Sequence, residues 1–263
     1  MDTTILSRSR GYSLAVATAL LSGGILVGTP AVSADVLVNM NFSAQYSHNP
    51  TAPAGTPGAL VSGAMDWNNV NVNTGSVSVS NLINTNGTST SIGVSVSGAS
   101  GGYNSILASA SSINPMLFSY PDNSKSSPVV ATFSGLDATG KTSYNLYVYN
   151  WSDYSVSYPG YKYTVTSSIS EGGGTLPGSQ TNSYTGLESG TTFTQGVNYV
   201  LFNGLTANSS GVIQLSVIGA QNLNGVQLDA VSGAVPEPTT IALTLAGAAG
   251  FLLLAKRRPM KGS

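Results

Sequence analysis

"GVIQLSVIG", residues 211–219, alternates through its middle: Ile213, Leu215 and Val217 fall on one side of an extended chain, Gln214 and Ser216 on the other. Successive side chains of a strand point to opposite faces, so a period of two marks a half-buried antiparallel strand. The same alternation recurs in "VLVNMNF" (36–42), where Val36, Val38, Met40 and Phe42 share a face, and in "SVSVS" (76–80) and "SIGVSVS" (91–97). "PVVATFSGL" (128–136), "YNLYVYNW" (144–151), "YKYTVTSSI" (161–169), "VNYVLFNGL" (197–205) and "NGVQLDAV" (224–231) add further strands. Gly, Pro and Asn punctuate the intervals as turns, and no amphipathic helical period of ordinary length interrupts them. Roughly nine strands with polar turns predict an all-β chain, a single antiparallel β-sandwich or jelly roll.

Ser, Thr and Gly dominate the composition, which alone would fit disorder. Disordered chains, however, lack β-branched and aromatic residues in register, and this one repeats them. Two stretches read as long loops: "SAQYSHNPTAPAGTPGAL" (43–60), with three prolines, and "EGGGTLPGSQTNS" (171–183). Neither is long enough to divide the body, no internal repeat is evident, and one domain over 35–232 is expected. The glycine runs "GASGG" (98–102) and "EGGG" (171–174) lack the strand–loop–helix setting and lysine of a phosphate loop, and read as turns.

Charge narrows the function. Only 7% of the residues are charged, against roughly 25% in ordinary soluble proteins. Between 35 and 234, three lysines face eight carboxylates with no arginine, a net −5. Phosphate neutralisation needs a basic footprint, so nucleic acid is excluded as a partner. The chain has no cysteine and a single histidine, His48. Thiol catalysis, thiolate metal sites and multi-histidine metal sites within one chain go with them. A body of about 200 residues can bury enough core to do without disulfides.

The two ends differ from the body. Arg8 and Arg10 precede an uncharged stretch (12–28), and Val32-Ser33-Ala34 supplies the small residues of a cleavage site, so 1–34 reads as a signal peptide for signal peptidase. At the other end Val235-Pro236-Glu237-Pro238 leads into 17 uncharged, mostly apolar residues (239–255) and then Lys256-Arg257-Arg258. As a helix those residues would span about 26 Å, enough for a thin bilayer. The prolines mark its start and the cations hold its end in the cytoplasm, with the body on the far side.

That order of motif, apolar span and basic cluster resembles the PEP-CTERM sorting signal of Gram-negative bacteria, over 233–263. The resemblance implies recognition by an exosortase, processing near Pro236–Pro238, and a producer of extracellular polysaccharide. It also implies that the helix crosses the inner membrane only transiently, so the mature protein reaches the cell surface or matrix. It transfers no catalytic residue to this chain. The stretches "FSGLDATGKTSYNLYVYNW" (133–151), "YVLFNGLTANSSGVIQLSVIG" (199–219) and "LNGVQLDAV" (223–231) are similar in outline to carbohydrate-binding jelly rolls, which hints at sugar binding.

Within the body, the densest cluster of side chains with chemistry is "YNLYVYNWSDYSVSYPGYKY" (144–163), which holds seven tyrosines and Trp151. Tyr147, Tyr149 and Trp151 share one face of an extended strand; Tyr144, Leu146 and Val148 share the other. A strand apolar on both faces is commonly a central one, packed on both sides. The competing reading is a platform on which aromatic faces stack on sugar rings while Asn and Asp bond the hydroxyls. Its candidate contacts are Trp151, Asp153, Tyr154 and Tyr158, the residues at and beyond the strand end, where loops carry function. In "MDWNNVNVN" (65–73), Asp66, Asn68 and Asn69 offer oxygens for a hard cation, but one carboxylate is few for calcium, and an Asx-rich turn with Trp67 in the core is the plainer reading. No metal ligand and no cofactor is assigned.

For catalysis, a serine triad has only His48 to draw on, and no Gly-x-Ser-x-Gly elbow occurs. A glycosidase needs two carboxylates at a set separation, and none of the eight stands in a recognisable catalytic setting. The expectation is a non-catalytic structural or adhesive protein of the polysaccharide matrix, with a carbohydrate-binding module as the alternative and a small secreted hydrolase third.

Overall fold

The computed structural model describes residues 36–43, 56, 58–60, 66–72, 75–104, 114–117, 119–122, 127–152, 162–184, 192–219 and 223–232, all within the compact unit Ser33–Gly233. Among the described residues the chain is all-β, with one 3-10 turn at Pro115–Leu117. In chain order the strands are β1 (Val36–Ser43), β2 (Asn68–Asn71), β3 (Gly75–Val79), β4 (Gly93–Ala99), β5 (Gly101–Asn104), β6 (Ser119–Asp122) and β7 (Val129–Ser134). They continue as β8 (Thr142–Tyr149), β9 (Tyr163–Glu171), β10 (Gln180–Tyr184), β11 (Tyr199–Leu205), β12 (Ile213–Gly219) and β13 (Gly225–Ser232).

Two sheets form the body. One runs β11-β8-β13-β1-β2, the other β10-β9-β12-β7-β4-β3, and β5 and β6 make a separate ribbon. The alternation in the sequence decides which side of each sheet is apolar. Val38, Met40, Leu146, Val148, Phe202, Val226 and Leu228 turn inward from the first sheet; Val96, Ala131, Phe133, Val165, Ile213 and Leu215 turn inward from the second, and all belong to one core. Two mainly antiparallel sheets sharing a core are consistent with the β-sandwich expected from the period-two pattern. Each large apolar side chain buried there contributes about 1.5–3 kcal/mol, which is how a chain without cysteine holds together.

Three details depart from expectation. β1 and β2 pair in parallel, Phe42 opposite Val70, where strands joined by a tight hairpin would pair antiparallel. β2 itself lies in the stretch read as an Asx-rich turn. Asn favours turns and "NNVN" has a single apolar residue, but Val70 is buried and β1 supplies the backbone partner. β10 lies in the stretch read as a loop, held by antiparallel pairing to β9. In both cases a strand already in place overrides weak local propensity. Trp67 sits in the core as expected, its Nε1 donating to the Thr56 carbonyl at 2.8 Å. Gly98, at the end of β4, has φ +84°, and a Cβ there would overlap the Pro128 carbonyl oxygen, so only glycine fits this close passage of β4 past β7.

No described helix is long and apolar enough to cross a membrane. Residues 1–34 and the motif Val235-Pro236-Glu237-Pro238, the span 239–255 and Lys256-Arg257-Arg258 lie outside the described residues.

Candidate functional site

β1 carries a second message in its burial: Asn39, Asn41 and Ser43, which alternate with the core residues, are themselves buried. They lie on the outer face of the five-stranded sheet, where Asn39 is in register with Gln227 of β13 and Tyr147 of β8, and Asn41 with Gly225 and Tyr149. Buried amides must be paired, and these pair with one another. Gln227 Nε2 donates to Asn39 Oδ1 at 2.9 Å, Asn41 Nδ2 to Asn69 Oδ1 at 2.9 Å, and Asn39 Nδ2 to the Asp66 carbonyl at 3.0 Å. The Tyr149 hydroxyl donates to Gln227 Oε1 and accepts from the Ala59 amide at 2.7 Å, while the Leu60 amide reaches Gln227 Oε1 at 3.3 Å. The segment 58–60 therefore lies on this face as a cover, and Gly58 is packed so closely on Gln227 that a Cβ would collide with its amide. Burial pushes the Tyr149 phenol well above its ordinary range, the desolvated phenolate being the disfavoured form.

Beside this covered network the face opens. Tyr147 and Tyr199 are half-buried, with ring centroids 6.0 Å apart and planes tilted by 32°, and Phe193 packs edge-on against Tyr149 at 5.1 Å. One register row further, Asn145 Nδ2 donates to Asp229 Oδ2 at 3.3 Å, and Asn145 Oδ1 accepts from the Gly204 amide at 3.2 Å. Asn145, Asp229 and Leu201 are all half-buried. Burial, then the negative charge of Asp229, raise the Tyr147 phenol above its usual value, so it stays a neutral donor. The result is a small patch of two tyrosine rings flanked by an amide and a carboxylate, the set that stacks on sugar rings and bonds their hydroxyls.

Of the residues expected to contact a glycan, only Trp151 falls among those described, and it is not at the surface. It is 1% exposed and part of the core, its backbone N–H held by Asn224 Oδ1 at 2.7 Å. A ring enclosed in this way offers no face to a ligand, which corrects its assignment as a contact. Asp153, Tyr154 and Tyr158 lie outside the described residues. Around Trp151 the interior is polar: Asn182 Nδ2 donates to the Asn150 carbonyl at 2.9 Å, and the Tyr120 hydroxyl lies 3.0 Å from Ser152 Oγ. Trp151 Nε1 and Asn182 Oδ1 are buried there without a hydrogen-bond partner.

In the "MDWNNVNVN" stretch the amide oxygens of Asn68 and Asn69 serve the fold. Asn68 grips both the N–H and the carbonyl of Ile83 at 2.9 and 2.8 Å, and Asn69 accepts from Asn41. Among the described residues no three of His, Asp and Glu gather where a metal would bind.

The outer face of the six-stranded sheet is different in kind. Register sets Ser78, Ser95, Thr132 and Gln214 in one row across four strands, and Ser97, Val130, Ser216 and Ser168 in the next. Thr166 stands opposite Thr181, and Thr164 opposite Ser183, each pair with oxygens 3.3 Å apart. Gln214 ties β12 to both its neighbours, donating to Thr132 Oγ1 of β7 at 3.1 Å and accepting from Ser170 Oγ of β9 at 2.9 Å. The first row continues across β9 to Glu171, whose carboxylate accepts from Asn208 Nδ2 at 2.6 Å; the other residues of these rows carry no charge. Their hydroxyls repeat at about 4.8 Å across strands and about 6.7 Å along them, the spacings of the sheet itself.

Compared with protein families, with curated proteins and with solved structures, the chain finds no match.

Proposed function

We propose that this chain is an exported, non-catalytic β-sandwich protein, of jelly-roll type, that works in the polysaccharide matrix at a bacterial surface in a structural or adhesive role. The observation that carries it is the outer face of the six-stranded sheet, where Ser, Thr and Gln side chains predominate and Glu171 is the charge in register with them. Such a face meets a neutral polyhydroxylated polymer by many weak hydrogen bonds and has little charge to be screened. Export rests on the N-terminal signal and on the PEP-CTERM-like tail, with signal peptidase and an exosortase as the processing partners. Co-sedimentation of the full chain with the producer's extracellular polysaccharide tests the role. Binding retained from low to high salt is expected; binding that collapses with salt, or no binding, overturns it. Terminal sequencing of the surface-recovered protein tests the route, with a start at Asp35 and an end near Pro236–Pro238 expected.

A defined glycan site is the second reading, favoured by the half-buried Tyr147–Tyr199 pair beside Asn145 and Asp229. Replacing Tyr147 by Ala would then weaken oligosaccharide binding by about tenfold or more, leaving the bulk polymer association largely in place.

A further inference from the structure

Each of the two large sheets ends in two edge strands, and an edge strand exposes backbone donors and acceptors to any other strand. Three of the four edges are guarded. On β11, the Leu201 carbonyl accepts from Gln180 Nε2, the Tyr199 carbonyl from the Gly196 amide at 2.8 Å, and the adjoining Thr206 carbonyl from the Gly173 amide at 2.7 Å. β10 donates its Ser183 amide to the Gly196 carbonyl at 2.9 Å, and Asn182 holds the Val197 carbonyl beside it. β2 is only four residues long, and the Asn68 side chain clamps Ile83 against it.

β3 differs. Its partner in the sheet is β4, and among the described residues no backbone or side-chain hydrogen bond reaches Gly75–Val79 from its other side. The strand and its flanks, "GSVSVSN" (75–81), contain no charge and no proline. The irregularity in its pairing is confined to its first residues, between Gly75 and Val77, and leaves the run from Val77 in regular register. Ser76 and Ser78 are exposed, and Val77 and Val79 are only partly buried. Inward charge and proline, two of the usual guards of an edge, are absent along that run, and no hydrogen bond from the described residues covers it.

We propose that β3 pairs antiparallel with β3 of a second copy, joining two six-stranded sheets across a two-fold axis. A strand of alternating Val and Ser is its own complement in that arrangement. It sets valine beside valine on the core side and serine beside serine outside, an isologous contact in which each copy supplies the same residues. None of the body's charged residues lies within 75–81, so the pairing sets no like charges against each other at the seam. The pairing also makes the hydroxyl rows of the two sheets continuous, doubling the width of the face that begins at Ser78 and Ser95.

Sedimentation velocity of the full chain over a concentration series reads the association, alongside Ser78→Lys and, on the guarded edge, Ser183→Lys. Wild type and Ser183→Lys are expected to dimerise alike, and Ser78→Lys to weaken the dimer at least tenfold, since like charges opposed across the axis repel. In the wild type, the amides of 76–80 should gain protection from hydrogen exchange as concentration rises, a readout independent of any variant's folding. A monomer throughout, as expected if β3 receives a strand of some other protein, overturns the proposal. So does association that Ser78→Lys leaves intact, as contact through the apolar residues 239–255 would be, or open-ended growth beyond the dimer.

Discussion

Asn224 is fully buried and ties three parts of the chain together. Its Oδ1 accepts the Trp151 amide at 2.7 Å, and its Nδ2 donates to the carbonyls of Leu117 and Ser119 at 3.1 and 3.4 Å. In Asn224→Ala the Trp151 N–H is left buried without a partner, a penalty of about 1–3 kcal/mol, and the two carbonyls lose weaker bonds. The sum is about 2–4 kcal/mol, and at about 2–4 °C per kcal/mol for a domain of this size Tm should fall by about 4–16 °C. Asn224→Asp separates the two halves of that loss. It keeps the acceptor for Trp151 but sets a carboxylate oxygen against two carbonyls in a desolvated site, which raises its folded-state pKa above the unfolded value of about 3.9. A raised carboxyl pKa means stability that is present below the unfolded pKa and lost as pH rises through the folded one. Asn224→Asp should therefore approach wild type in acid and fall away towards neutrality, whereas the deficit of Asn224→Ala should not change in that direction. Calorimetric melts across pH check both. An Asn224→Ala variant melting within about 1 °C of wild type would falsify the assignment of Asn224 as a buried tie.

Asp137 makes the opposite pH signature. Hydrogen bonds from the Thr139 hydroxyl and amide, with the amides of Lys141 and Thr142, hold its carboxyl far below the usual range. Its contribution is present above the unfolded pKa of about 3.9 and is lost as pH falls towards the depressed value, so the Tm gap between wild type and Asp137→Asn should narrow on acidification below about pH 4. Tyr149→Phe strands the Ala59 amide and removes the bond to Gln227, and should cost about 1–3 kcal/mol by urea unfolding with an unchanged m value. Trp67 and Trp151 are both buried, so native fluorescence should be blue-shifted and resist iodide; quenching or a shift on adding glycan would place a tryptophan at the binding surface instead.

The alternation of Ile213, Leu215 and Val217, and of Val38, Met40 and Phe42, was sufficient to read an all-β chain and to say which side chains meet in the core, because burial selects every second residue of a strand. It was also sufficient to split Tyr144–Leu146–Val148 from Tyr147–Tyr149 onto opposite faces of β8. The cysteine count, which needs no coordinates, removed thiol chemistry, and the charge balance argued against nucleic acid as a partner. What the sequence could not disclose is what depends on register between distant strands. Asn39 meets Gln227 across 188 positions, and Tyr147 meets Tyr199 through the pairing of β8 with β11. Trp151 is carried inward by Asn224, a residue 73 positions away. β2 and β10 exist because β1 and β9 were there to receive them, whatever their own weak propensity. Local pattern is set by one chain's alternation between water and core; a site on a sheet is set by which strands lie side by side, and that is a property of the assembled fold.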